Sequence, residues 1–142
     1  MDRRTRRELM ERLRRDADRI CERFGLRYQA LEAERANVKR RYGICYSDGT
    51  IKIRLRHVQT GEPLKYSSLV NTLCHELAHL RHFDHSPSFQ DFYRRLLGWA
   101  RHQGIYVPTV RHSGRPGPRM AGAVRPEKRI SPAPGPEQLT LF

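Results

Sequence analysis

Residues 74–85 read Cys-His-Glu-Leu-Ala-His-Leu-Arg-His-Phe-Asp-His. His75 and His79 are four residues apart. On a helix they stand on one face, one turn apart. Both imidazoles can then reach a single zinc ion. Glu76 follows the first histidine, where its carboxylate can take a proton from water at the metal's open position. A third ligand must come from further along, and His82 and His85 compete for it. On an unbroken helix the Cα of His82 is about 10 Å along the axis from His75. Ligand bonds of about 2 Å do not span that comfortably. His85 avoids the problem if the helix stops near Phe83 and the chain turns back. Residues 84–88 read Asp-His-Ser-Pro-Ser, and a serine followed by proline suits the start of a new helix. The expected set is therefore His75, His79 and His85 as ligands to Zn2+, with Glu76 as the catalytic base. His82 is placed beside the site or at the surface. His57, His82 and Tyr66 are candidates for steadying a developing oxyanion.

Three helices and three strands must position these groups. Leu69, Val70, Leu73, Cys74, Leu77, Ala78 and Leu80 give the histidine segment a helical apolar pattern, which predicts a helix over 66–83. The bland alternative is a helix with solvated histidines. A first helix is predicted over 5–24, from the stripe Leu9, Met10, Leu13, Ala17, Ile20, Cys21 and Phe24. Thr5-Arg6-Arg7-Glu8 reads as a capping box at its start and Gly25 as a left-handed stop. Strands are predicted over 26–31, 38–47 and 50–57, with Ser47-Asp48-Gly49 as a hairpin turn. A loop follows over 58–65. The last helix starts at Ser86-Pro87, buries Phe89, Phe92, Tyr93, Leu96, Leu97 and Ala100, and closes at Gly104. Residues 105–107 are expected to add a short extended segment. The fold class is α+β, a domain over 1–109. From about Val110, prolines, glycines and basic residues replace aliphatic periodicity. Residues 110–137 are expected to be a disordered linker of about thirty residues, reaching about 30 Å if flexible. The apolar tip Gln138-Leu139-Thr140-Leu141-Phe142 can then fill a partner's pocket as a short linear peptide.

The chain has 142 residues and a formal net charge of +13. That excess favours a polyanionic partner, with nucleic acid ahead of an anionic membrane. Ile51, Ile53 and Leu55 alternate with Lys52, Arg54 and Arg56, so one face of this strand is expected to be buried and the other basic. Lys39, Arg40 and Arg41 add to the same candidate DNA-binding surface. A plain solvated face is the competing reading. Cys21, Cys45 and Cys74 are odd in number and far apart, as reduced core residues would be. None has zinc-knuckle spacing. The basic N-terminus lacks an apolar run, and no stretch approaches transmembrane length. The expectation is a cytoplasmic, nucleoid-associated monomer with no membrane partner.

The order of helix, strands, a helix bearing HELAH, and a histidine and phenylalanine in His85-Ser86-Pro87-Ser88-Phe89 resembles the SprT-like zinc metallopeptidases and the similar WSS-type and YgjP-type hydrolases. Residues 42–47, Tyr-Gly-Ile-Cys-Tyr-Ser, resemble that family's Trp-Gly-x-Cys-Ser strand, with Tyr42 in place of the tryptophan and Ile44 in place of a small polar residue. The resemblance covers roughly 5–105. It implies a small zincin-like fold and zinc held by His75, His79 and His85. It also implies catalysis by Glu76 on a protein substrate, and kinship with proteases that degrade proteins crosslinked to DNA. The terminal QLTLF separately resembles the bacterial sliding-clamp-binding pentapeptide, which implies a bacterial or phage protein working at replicated or repaired DNA. Two rivals remain at this stage: a metallopeptidase with a non-DNA substrate, and a zinc-stabilised DNA or clamp adaptor without turnover.

Overall fold

A computed structural model describes residues 1–38 and 40–108. Lys39, the expected linker over 110–137 and the terminal peptide Gln138 to Phe142 lie outside the described residues. Three helices and a three-stranded mixed sheet build the domain.

Helix α1 runs Arg3–Phe24. Its apolar stripe buries Met10, Leu13, Ala17, Ile20 and Cys21, as the periodicity requires. The start differs from the capping box predicted at Thr5. Asp2 is the cap, and its carboxylate accepts the Thr5 N–H at 2.7 Å. Glu8, freed from capping, pairs instead with Arg4 on the helix surface. A helix extends to the last residue that can satisfy its open amides, and Asp2 lies in extended backbone one turn further out. Gly25 closes the helix at φ 69.

The strands are β1 (Ala30–Ala33), β2 (Gly43–Cys45) and β3 (Thr50–Ile53), in the order β1-β3-β2. β1 runs parallel to β3 and β2 antiparallel. The hairpin turn falls at 47–49 as predicted. Asp48 accepts the Thr50 N–H at 2.8 Å, and Gly49 adopts φ 94. Every strand is shorter than predicted, and the first is displaced. The Leu26 N–H is taken up by the end of α1, at the Cys21 carbonyl, so pairing starts only at Ala30. Beyond Ile53 the chain leaves the ladder and folds back on itself, with Arg56 bridging Pro63 and Leu64 bonding Leu55.

Helix α2 runs Tyr66–Ala78 and α3 runs Pro87–His102. α2 ends one turn before the predicted stop at Phe83. His79, Leu80 and Arg81 each donate to a carbonyl three residues back, at Glu76, Leu77 and Ala78. This tightened turn is how many helices finish. Ser86 caps α3 by accepting the Phe89 N–H, with Pro87 in the first turn. After α3, Gly104 takes φ 78. Residues 105–107 form no strand, because the Ile105 and Tyr106 amides fold back onto Ala100.

The core lies where α1, α2, α3 and one sheet face meet. Leu13 and Ile20, Ile51 and Ile53, Leu69, Leu73 and Leu77, and Phe89 and Leu96 are all fully buried there. All three cysteines are buried and free. Among the described residues, no helix is long and apolar enough to cross a membrane.

Candidate metal centre

Three segments bring the site together. His75 sits in the last regular turn of α2, His79 at its C-terminal cap, and His85 in the loop before α3. One ring nitrogen from each lies within 4.8 Å of the others, with His75 and His79 in helical backbone and His85 in the loop beyond it. The early end of α2 makes this possible, since the chain can reverse over 80–85 and return His85 to the face it left.

His79 is fully buried. Its Nδ1 lies 3.0 Å from the His82 carbonyl oxygen. A carbonyl only accepts, so Nδ1 carries the hydrogen and Nε2 is left with a bare lone pair. That Nε2 stands 3.1 Å from Nε2 of His85. Nitrogen ligands about 2.0–2.1 Å from a tetrahedral zinc stand about 3.3 Å apart, so the spacing fits a shared cation. Burial pushes the His79 pKa down to about 4, and the nearby His75 and His85 lower it further against the opposing pull of Glu76. Burial also lowers His85, with His75 adding to the effect. Both rings are thus held neutral, the form that ligates metal.

An aromatic wall fixes the rings. Phe89 stacks on His79 with centroids 4.4 Å apart and meets His75 and His85 edge-on at 5.0 Å each. Tyr93 lies one turn further along α3, its ring 5.3 Å from that of His75 and its hydroxyl donating to Asn71. Asn71 is one turn before His75 on α2. Helical periodicity places Phe89 and Tyr93 in the core and assigns no role to Asn71. Their spacing, four residues from each other and from His75 respectively, was the available clue.

Glu76 is 1% exposed, with its Oε2 3.3 Å from His75 Nδ1. Strand β2 backs it closely. A Cβ added at Gly43 would lie 3.2 Å from the Glu76 Cγ and 2.7 Å from Thr72. A buried carboxylate beside three convergent imidazoles is equipped to accept a proton at the metal.

Other expected groups lie elsewhere. Tyr66 begins α2, about 13 Å along the axis from His75, and its hydroxyl donates to Asp16 at 2.6 Å. The His82 ring packs on Phe92, so this residue reaches the site through its backbone. His57 is exposed in the loop after β3. The Tyr66 hydroxyl and the His82 ring are thus engaged with Asp16 and Phe92 rather than with the three histidines. The proposed DNA face is also divided. Arg40 is exposed, and Arg41 pairs with Glu34 at 3.0 Å. Lys52 sits 5.9 Å from the Tyr46 ring centre and Arg54 lies 4.7 Å from that of Tyr42. Arg54 is only 8% exposed, and Arg56 is half-buried.

A helix carrying HExxH over a small mixed sheet, with a third histidine from the next connection, defines a metallopeptidase domain. The chain belongs to the YgjP-like metallopeptidase family, whose domain matches residues 1–103. No curated protein matches the chain. Among solved structures it is similar to Wss1 from Saccharomyces cerevisiae (TM-score 0.55, 21% identity, covering 63% of this chain and 73% of that one). It is also similar to Wss1 from S. pombe (TM-score 0.54, 27% identity, covering 63% and 75%). The zincin-like order expected from the sequence agrees with this fold.

Proposed function

We propose that this chain is a zinc-dependent endopeptidase that acts at DNA on crosslinked or bound proteins. The observation that carries the peptidase reading is Glu76, buried beside the convergent His75, His79 and His85. These three histidines would hold the zinc. Bound there, zinc supplies a Lewis acid that acidifies water and polarises a peptide carbonyl. Glu76 accepts the proton of the attacking water and returns it to the leaving nitrogen. Phe89 excludes solvent from one side of the histidines and holds their planes. The His82 carbonyl keeps His79 in the tautomer that leaves Nε2 bare.

Three features support DNA as the place of action. The chain carries a net charge of +13. α1 exposes Arg3, Arg4, Arg6, Arg7 and Arg15. The family resemblance includes proteases of DNA-crosslinked proteins. Residues 138–142 would add a tether to the replication sliding clamp, raising the enzyme's local concentration there. A second reading, a peptidase whose substrate has no connection with DNA, is favoured by the pairing of Arg41 with Glu34 and the burial of Arg54. Both remove charge from the expected DNA face.

The test is cleavage of a protein covalently joined to DNA, compared with the same protein after nuclease removal of the DNA. The DNA reading expects faster cleavage of the joined substrate; equal rates would select the second reading. Deleting residues 138–142 should abolish binding to a bacterial sliding clamp and leave peptide hydrolysis intact. Undiminished clamp binding would end the tether proposal.

A further inference from the structure

A second site lies away from the histidines. The start of α1, the segment after β1 and the segment after β3 enclose a cavity of about 410 Å³. Arg3, Arg6, Arg35, Arg54 and Arg56 line it, with Asp2 and Glu34. Five arginines therefore face two carboxylates. Both carboxylates are already engaged, Asp2 with the Thr5 amide and Glu34 with Arg41 and the Arg35 amide. The N-terminal end of a 22-residue helix adds its partial positive charge to the same space.

Arg54 is the telling group. It is more than nine-tenths buried, and its Nε has no hydrogen-bond partner among the described residues. A buried guanidinium donor left unsatisfied is costly. Tyr42 covers one face of the guanidinium, but a ring face does not accept the in-plane Nε–H. Arg54 lines the cavity, so an anion there would offset the charge of this buried guanidinium.

We propose that this cavity binds a phosphomonoester of nucleotide size, as a free nucleotide or at the end of a nucleic-acid strand. The strand-end source rests on the DNA reading above; the free-nucleotide source does not. A carboxylate would bring one charge, whereas a phosphomonoester brings about 1.5 to 2 near neutral pH, with three acceptor oxygens. Arginine forks match those oxygens in paired hydrogen bonds. The volume lies within the range of about 300–1,000 Å³ usual for small-molecule sites, leaving room for an attached nucleoside. A recess also suits a strand end better than an internal phosphodiester, which must continue in both directions.

The test uses the full-length, zinc-loaded protein at one fixed salt concentration. Binding of deoxyadenosine monophosphate is measured by calorimetry. Binding of one oligonucleotide, with a 5′-phosphate or a 5′-hydroxyl, is measured by fluorescence anisotropy. The variants are Arg54→Gln and the exposed Arg6→Gln and Arg35→Gln, with Arg101→Gln at the end of α3 as control. If Arg54→Gln fails to fold, the two exposed variants carry the result. The expected result is about tenfold or greater loss of affinity for the phosphomonoester probes in each cavity variant and none in the control. Binding of the mononucleotide identifies the free ligand. Binding that depends on the 5′-phosphate of the oligonucleotide alone identifies the strand end. Equal affinity for both oligonucleotides, no mononucleotide binding and unaltered variants would overturn the proposal. In that outcome the DNA reading stands if the oligonucleotides bind and falls separately if they do not.

Discussion

His79 divides its two nitrogens between two tasks. Nδ1–H is committed to the His82 carbonyl, and Nε2 is left to face His85. His82 and His85 therefore contribute different things: His82 a backbone oxygen, His85 a ring nitrogen. Replacing the His85 side chain with alanine should weaken zinc binding by more than about 100-fold, exceeding the usual effect of a group outside the ligand set. His82→Ala leaves the carbonyl in place and should change zinc affinity little. Competition against a chromogenic chelator measures both. Comparable losses in the two variants would refute the assignment of roles. The ligands were legible in the sequence because histidines four apart share a helix face and Ser86-Pro87 marks a new start. The role of the His82 backbone was not legible, since it depends on α2 ending at Ala78. Nor was the wall built by Phe89 and Tyr93, since it depends on how α3 packs across α2.

At the scale of elements, the approach of β2 to α2 sets where Glu76 sits. Gly43 permits that approach by lacking a side chain. Gly43→Ala places a methyl 2.7 Å from Thr72 and 3.2 Å from both Glu76 and the Lys52 carbonyl. Helix and strand must then separate, at about 1–3 kcal/mol for overpacking. A displacement of about 1 Å at Glu76 can cost about 100-fold in rate. The variant is expected to melt earlier and lose that much activity while keeping its zinc, because the histidines are not touched. Wild-type activity in a folded Gly43→Ala protein would show that β2 does not position the carboxylate. Element types and order were readable from periodicity, and the hairpin turn from Asp48-Gly49. Boundaries were less so. Asp2 outcompeted Thr5 as a cap because it lies further out, and a tightened turn closed α2 early. β1 started late because the end of α1 had already claimed Leu26.

For the molecule as a whole, the three buried thiols link stability to pH. Burial pushes Cys21 up to about 12 and raises Cys45 and Cys74 well above the ordinary thiol value near 9. The folded chain keeps these protons while the unfolded chain releases them above pH 9. Stability should therefore be full below pH 9 and fall as pH rises towards 12, with a limiting slope of about 1.4 kcal/mol per pH unit for each thiol. Tyr28 and Tyr66 are raised by burial and by their bonds to Asp18 and Asp16, and they act in the same direction above pH 10. Urea unfolding between pH 8 and 10.5 measures the slope; a flat profile would mean the thiols are accessible in the native state. The overall charge was plain from the sequence, but its use was not. Only the folded chain separates the exposed arginines of α1 from Arg41, bound to Glu34, and from Arg54, buried at the cavity.

The most direct measurement of the central claim compares wild type with Glu76→Gln, recording zinc content and hydrolysis of an unfolded protein substrate together. The amide keeps the shape of the side chain and removes the base. Both proteins should bind zinc equally well, and the variant should lose about 100- to 10,000-fold in kcat/KM, the usual contribution of general-base catalysis. Equal hydrolysis by the variant would remove Glu76 from the reaction. A zinc-loaded wild type that cleaves no protein substrate would contradict the peptidase assignment itself.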